Sequence, residues 1–386
     1  MPDCILIKSA DIYCPDHIGK ADCLVCFDRI VAVGENLSPS GIPLEFVDGG
    51  SFKLMPGFVD GHVHITGGGG EGGPATCTPE ADITELVQAG ITTVVGCLGT
   101  DSESRDLKRL LVKARALEAE GITAYIYTGA YRCPPPTLTG DVALDLVLID
   151  KVIGVGELAI SDHRGSHPTY EEILRVVSES RRGGLLAGKA GVVHFHVGRE
   201  NSGLEILFRI VNETGIPPSQ MIPTHVYGRD ELFSEALEFG NLGGYIDITA
   251  GEEKERPASD AIKIIREKGL INNATLSSDA YGSMPVFEQD GRCTRVGVAM
   301  PGGLLDTFRE TVLGKKIPVE EALLPLTVNP AGALGLYDRL GGITPGKQAD
   351  LILMDEELRP FHVMAKGKWV VREGKPTCST IISRGR

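Results

Sequence analysis

Between residues 58 and 279 the chain repeats a two-part pattern. A short β-branched, apolar run bounded by glycine or polar residues is followed by a stretch with apolar side chains at helical spacing. The runs cover residues 58–65 (FVDGHVHI), 91–98 (ITTVVGCL), 123–130 (TAYIYTGA), 151–159 (KVIGVGELA), 191–197 (GVVHFHV), 221–226 (MIPTHV), 245–249 (YIDIT) and 274–279 (ATLSSD), and each predicts a strand. Helices are predicted over 105–120, 170–181, 231–239 and 260–268; in the first, Leu107, Leu110, Leu111, Ala114 and Leu117 share one face. Eight strands alternating with helices predict an α/β fold, a (β/α)8 TIM barrel spanning residues 56–337. An open doubly wound sheet is the rival, but no glycine-rich dinucleotide turn follows a strand. The flanks, 1–55 and 338–386, read as short strands (CLVCFDRIVAVG, ADLILMD, FHVMAKGKWVVREGK). Neither flank holds a core alone, so both ends are expected to meet in one small β-sandwich domain.

Composition narrows the function. The 386 residues carry 52 Asp+Glu against 38 Lys+Arg, a formal charge of -14. That excludes nucleic acid and anionic membrane as main partners, because both need clustered basic residues. No apolar run reaches the roughly 18 residues of a membrane span. The start, MPDCILIKSADIYC, lacks the apolar core of a signal peptide. Nine scattered cysteines predict reduced thiols and a cytoplasmic setting. Cys23 and Cys26 lie three apart on a predicted strand, so they face opposite sides and read as small hydrophobes.

The chemistry starts at His62-Val63-His64. Residues i and i+2 of a strand share a face, so two imidazoles about 7 Å apart along the strand converge on one point. Barrel active sites lie at the C-terminal strand ends. Near the same end stand Glu157 on the fourth strand, His196 on the fifth, His225 on the sixth and Asp279 on the eighth. Singly, each reads as a satisfied core polar residue or a cap. Six metal-type side chains at one end of five strands are hard to explain by capping. Imidazole and carboxylate donors suit Zn²⁺, or Mn²⁺, Fe²⁺ or Co²⁺. Six donors fit two ions about 3.5–4 Å apart better than one crowded ion.

At these residues the chain resembles the amidohydrolase superfamily and, within it, the isoaspartyl (β-aspartyl) dipeptidase family. The shared segments span nearly the whole chain: MPGFVDGHVHITGGGGEGGP, VVGCLGTD, YTGAYRCP, AISDHRG, GGLLAGK, FHVGR, PTHV, LSSDAYGS and the tail GGITPGKQADLILMD. The HxH pair and the tail belong to the whole superfamily; GGGGE, TGAY, SDHR and SSDxxGS together are far more specific. The resemblance implies that His62, His64, Glu157 and Asp279 hold one ion and that Glu157, His196 and His225 hold the other. Glu157 stands where the family carries a carboxylated lysine. A glutamate bridges two ions directly, so no dependence on bicarbonate is expected. His194 shares a strand face with His196 and is the competing ligand.

The resemblance further implies a metallo-dipeptidase of the omega-peptidase class with two divalent ions, zinc foremost. A metal-bridging hydroxide would attack the amide carbonyl, because divalent ions make bound water acidic. Asp279 would act as general base and then general acid, and the Tyr131 phenol would stabilise the oxyanion. Gly69 and Gly70 would let the backbone approach the substrate, and Glu71 would pair with its α-ammonium. Thr100 and Ser283 would bind the α-carboxylate, and Arg164 the carboxylate of the second residue. The family's second arginine falls at Gly228, with Arg229 beside it as the substitute. The partner implied is a small-molecule dipeptide, and relatives form homo-oligomers, often octamers. The alternatives are a related enzyme for cyclic amides (dihydroorotase or hydantoinase type) or N-acyl amino acids, and a non-catalytic metal-binding protein on the same scaffold.

Overall fold

The computed structural model describes residues 4–251, 255–288 and 290–378. Of the small β domain expected from the flanks, residues 1–3 and 379–386 lie outside the described residues. The chain opens with β1 (Cys4–Tyr13), β2 (His17–Cys26), β3 (Arg29–Gly34), β4 (Leu44–Asp48) and β5 (Lys53–Pro56). Then come β6 (Phe58–Val63), α1 (Ile83–Gln88), β7 (Ile91–Gly96), α2 (Leu107–Glu120), β8 (Thr123–Thr128), α3 (Val142–Leu148), β9 (Val152–Ile160) and α4 (Tyr170–Ala187). They are followed by β10 (Val192–Val197), α5 (Glu205–Glu213), β11 (Met221–Thr224), α6 (Asp230–Asn241), β12 (Ile246–Thr249), α7 (Ala258–Glu267) and β13 (Ala274–Ser277). The remainder holds a hairpin of β14 (Ser283–Phe287) and β15 (Cys293–Val298), helix α8 (Gly302–Arg309), and strands β16 (Leu351–Met354), β17 (Pro360–Ala365), β18 (Lys368–Arg372) and β19 (Lys375–Pro376).

The predicted barrel is borne out. All eight predicted strands form, as β6 to β13, and α2, α4, α6 and α7 overlap the four predicted helices. Helices α1, α3, α5 and α8 and the β14–β15 hairpin were not anticipated. Strands β6 to β11 make one parallel sheet, and β12 pairs in parallel with β13. The ring closes where Val63 bridges Ala280 and the His64 amide donates to the Ala280 carbonyl at 2.9 Å. Between β11 and β12 side chains replace the ladder: the Thr224 hydroxyl donates to Asp247 Oδ2 at 2.6 Å. Local signals start the helices. Asp106 accepts from the Arg109 amide to cap α2, and Thr169 with Glu172 forms a capping box on α4. The lower barrel is filled by Val59, Val95, Tyr125, Tyr127, Ile153 and Val192 and plugged from below by Leu334 and Leu336. The six predicted metal-type side chains lie at the opposite, upper end.

Both chain ends contribute to one nine-stranded sheet, in the order β19-β18-β17-β16-β5-β1-β2-β3, with β4 on β1. The join is antiparallel pairing of β5 with β16, Leu351 opposite Pro56. Its core includes Ile7, Ile12, Val25, Leu353 and Met364. One cysteine expectation is corrected. Cys4 and Cys26 are register partners on β1 and β2, 4.1 Å apart at Cα, and form a disulfide. Strand register brings together two residues far apart in sequence, a pairing no local spacing reveals. Cys23 instead is buried in the sheet core, where desolvation pushes its thiol up to about 12.

The tail motif fastens this sheet to the barrel. Gln348 Nε2 donates to Thr123 Oγ1 on β8 at 2.8 Å and to Asp350 Oδ2 at 2.9 Å. The Asp350 carbonyl accepts from the Gly57 amide at the start of β6 at 2.8 Å, and Asp350 Oδ1 accepts from the Lys366 amide at 2.8 Å. Burial pushes the Asp350 carboxyl up to about 6. The folded state thus holds a proton that the unfolded chain, with a pKa near ~3.9, has released. The resulting stabilisation is complete below about pH 4 and is lost as pH rises through 6, about 3 kcal/mol in all. Denaturant midpoints of the parent and Asp350→Asn across pH 4–7 check this prediction. The parent should lose stability relative to the variant as pH rises; parallel curves would contradict it.

Candidate metal centre and active site

The upper end of the barrel gathers imidazoles and carboxylates from five strands. His62 lies in β6 and His64 one residue past it, Glu157 in β9, His196 in β10, His225 just past β11 and Asp279 two residues past β13. His225 (φ 61°) and Asp279 (φ 50°) adopt left-handed backbone at these strand ends. Such a conformation costs a non-glycine residue of order 1–3 kcal/mol and persists only where the surroundings enforce it.

All six side chains meet. Glu157, fully buried, divides its carboxylate between two imidazole pairs. Oε2 faces His62 Nε2 at 3.2 Å and His64 Nε2 at 3.4 Å; Oε1 faces His196 Nδ1 at 2.8 Å and His225 Nε2 at 3.4 Å. Asp279 Oδ1 lies 2.9 Å from His64 Nε2 and 3.3 Å from His62 Nε2. The electrostatics follow. Burial pushes the Glu157 carboxyl up, but the facing imidazoles, His62 foremost, outweigh it and hold the group well below the usual carboxylate range. Burial likewise pulls His62 down, and the Glu157 and Asp279 carboxylates raise it well above the ordinary histidine value.

His194 shares the inward face of β10 but sits one layer deeper. Its ring stacks on Tyr127, with centroids 5.4 Å apart, and meets the edge of His62 at 4.7 Å. Burial pulls its pKa well below the ordinary value. It groups with His62 and Asp247 beneath the Glu157, His196 and His225 cluster.

A cavity of about 730 Å³ opens above the centre. Tyr131 lines it, with its phenol oxygen 2.8 Å from His196 Nδ1. Burial first, then the Glu157 charge, pushes that phenol well above the ordinary tyrosine value. Gly69 (φ 79°) also lines the cavity; a Cβ there would lie 2.5 Å from the Thr76 carbonyl, so the turn requires glycine. Gly70 (φ 105°) follows it. Glu71 is clamped: Ser283 Oγ donates to Oε1 at 2.8 Å, Thr100 Oγ1 at 3.1 Å, and Arg164 Nη1 stands 3.6 Å away. Thr100 and Ser283, expected to meet substrate directly, are spent on Glu71 in the free protein. Arg164 is also engaged, with Nη2 2.7 Å from Asp162 Oδ2 and 3.0 Å from His196 Nε2. Arg229 reaches the cavity from the start of α6, its guanidinium bonded to the Glu200 carbonyl at 2.5 Å.

Sequence reasoning missed three features. Asp162, the acid of SDHR, has Oδ2 2.8 Å from His196 Nε2. Burial pushes its carboxyl up, yet His196 and Arg164 hold it far below the usual range. Its place two residues before Arg164 was the available signal. Cys97 has Sγ 3.9 Å from both ring nitrogens of His64. The β14–β15 hairpin walls the cavity with Met284, Phe287 and Arg295; its half-exposed strands carry little hydrophobic pattern.

The donor set fits divalent metal. Bonds of about 2.0–2.2 Å to nitrogen and oxygen in tetrahedral array separate the donors by about 3.3–3.6 Å, close to the 2.9–3.4 Å between imidazole and carboxylate atoms here. Both His62 nitrogens, Glu157 Oε2 and Asp279 Oδ1 are buried with no hydrogen-bond partner among the described residues. A cation satisfies His62 Nε2, Glu157 Oε2 and Asp279 Oδ1 at once.

A (β/α)8 barrel with such a cluster at its C-terminal strand ends defines a metal-dependent hydrolase class. Residues 54–376 match the amidohydrolase family model. Two structures of a β-aspartyl dipeptidase from the thermophilic, keratin-degrading Fervidobacterium islandicum AW-1, one in complex with the β-Asp-Leu dipeptide, are 44% identical to this chain. They cover 98% of it and 100% of their own chains, with TM-scores of 0.94 and 0.91. Among curated proteins, adenine deaminase 2 of Carboxydothermus hydrogenoformans is 25% identical over 336 residues, 84% of this chain and 50% of that protein. The urease alpha subunit of Yersinia pestis is 28% identical over 174 residues, 44% of this chain and 29% of that protein. The chain thus spans about half or less of the length of these curated relatives. It belongs to the amidohydrolase family and, within it, to the β-aspartyl dipeptidase family.

Because the cluster satisfies its buried atoms with a cation, metal should stabilise the fold. Metal at 100 times its Kd is expected to add about 2.7 kcal/mol. Melting of chelator-treated and metal-restored protein checks this: Tm should fall and recover, and an unchanged Tm would contradict the assignment.

Proposed function

We propose that this protein hydrolyses isoaspartyl dipeptides at a centre of two divalent ions, zinc foremost. His62, His64, Glu157 and Asp279 would hold one ion and Glu157, His196 and His225 the other, with Glu157 shared. When bound, such ions acidify water and polarise an amide carbonyl. The observation that carries the reading is Glu71 set 3.6 Å from Arg164 beside a cavity that opens onto the histidine–carboxylate cluster. Arg164, Thr100 and Ser283 line that cavity and Glu71 stands directly behind them, and an anion and a cation this close suit a zwitterion. The 44% identical relative in complex with β-Asp-Leu supports the same class.

The chain's own groups divide the work. Glu71 Oε2, buried and without a hydrogen-bond partner among the described residues, receives the α-ammonium. Thr100 and Ser283 then turn from Glu71 to the α-carboxylate. Arg164, and Arg229 in place of the family's arginine at Gly228, take the carboxylate of the second residue. Gly69 and Gly70 keep the loop close to the ligand. Asp279 accepts the proton of the attacking water and returns it to the leaving amine. Tyr131 keeps its proton at neutral pH, because burial raises its pKa, and donates to the carbonyl oxygen as negative charge builds there.

Assays of metal-loaded protein on β-Asp-Leu, α-Asp-Leu, dihydroorotate and an N-acetyl amino acid test this. We expect kcat/KM on β-Asp-Leu at least ~100-fold above α-Asp-Leu, because the α-isomer misplaces a carboxylate against buried charged partners. Turnover of dihydroorotate or the N-acetyl amino acid without turnover of β-Asp-Leu would overturn it.

A further inference from the structure

Asp162 lies two residues past β9, the strand that carries Glu157, and reaches across to His196 on β10. Both side chains are buried. Gly198, two residues after His196, permits the approach: a Cβ there would overlap the Ser161 carbonyl and Asp162 Cβ. Asp162 Oδ2 stands 2.8 Å from His196 Nε2, and the other ring nitrogen, Nδ1, stands 2.8 Å from Glu157 Oε1. Asp162 also holds Arg164. Oδ1 accepts from the Arg164 amide at 2.7 Å and from Nε at 3.1 Å, and Oδ2 accepts from Nη2 at 2.7 Å. Arg164 Nη2 itself stands 3.0 Å from His196 Nε2.

We propose that Asp162 is a positioning residue for the metal centre: it holds His196 in the tautomer that turns a free Nδ1 lone pair toward the ion shared with Glu157 and His225. The inference rests on the two-ion reading above and adds a residue that acts through His196 rather than on an ion. An imidazole binds a cation through the ring nitrogen that carries no proton, so its other nitrogen carries one and needs an acceptor. An ionised carboxylate only accepts, whereas a guanidinium only donates. His196 Nε2 therefore faces two groups that ask for opposite tautomers. Donation from Arg164 to Nε2 would leave the proton on Nδ1 and close that nitrogen to a cation. Asp162 decides the contest. Its two oxygens engage Nε and Nη2 of the guanidinium as a bidentate pair, and Oδ2 still has a lone pair for the Nε2 proton. A carboxylate serving only to clamp Arg164 has no need to meet the imidazole at 2.8 Å.

The test uses the full chain, stripped of metal and titrated with Co²⁺, with visible absorption and bound metal per chain followed together. The parent should bind two Co²⁺. Asp162→Asn, close to the parent in shape, should bind one with unchanged affinity and the other about 10–100-fold more weakly, its absorption appearing only at correspondingly higher Co²⁺. Asp162→Ser serves if the asparagine variant misfolds. Because Asp162 acts through His196, the two should not add: in a His196→Asn background, Asp162→Asn should weaken binding no further. Two ions bound at the parent's affinity, equal weakening of both, or a loss that adds in full to that of His196→Asn would overturn the assignment. A parent that binds one Co²⁺, weakened by Asp162→Asn only when His196 is present, would uphold Asp162 while overturning the two-ion reading. No bound Co²⁺ in the parent would overturn both.

Discussion

The upper barrel depends on one carboxylate seen from two sides. Glu157 presents one oxygen to His62 and His64 and the other to His196 and His225, at 2.8–3.4 Å. A charge buried this completely persists only when partnered. The partners come from β6, β10 and β11, so no single segment can build the site. The barrel is the device that brings them together. Parallel strands turned the same way deliver their last inward residues to one rim, and left-handed backbone at His225 and Asp279 completes the convergence. Around this centre run linked pairs. Asp162 holds Arg164 and touches His196, Arg164 stands near Glu71, and Glu71 gathers Thr100 and Ser283. The groups proposed to bind substrate are thereby linked to the histidine–carboxylate cluster through polar contacts.

Most of this frame was legible in sequence, for a physical reason. Strands buried on both faces read as unbroken β-branched runs, which is why β6 to β13 could all be read from their residues. The alternation rule carried His62 with His64 and put His194 on the face of His196. It could not say that His194 lies a layer down, against Tyr127, because depth depends on the stagger of neighbouring strands. The short helices α1 and α3 and the hairpin escaped because their patterns are brief or half-exposed. Pro285 also interrupts β14 as a strand signal. The Cys4–Cys26 pair escaped because only register opposes the two residues.

The resemblance and the residue chemistry are separable in the same way. Motifs pointed to Glu71, Thr100, Ser283 and Arg164, but not to the contacts these residues make with one another before substrate arrives. Two substitutions against the family pattern, Glu157 for lysine and Gly228 for arginine, were visible as letters. Geometry supplies what letters could not: a glutamate long enough to face all four imidazoles, and Arg229 on the cavity one residue beyond the expected position.

The central claim is that Glu157 joins two metal positions without carboxylation. Metal content per chain of purified, folded Glu157→Ala, measured beside the parent with and without added bicarbonate, tests it most directly. The account predicts two ions in the parent regardless of bicarbonate and one or none in the variant. Two ions retained by Glu157→Ala, or parent metal content that rises with bicarbonate, would contradict it.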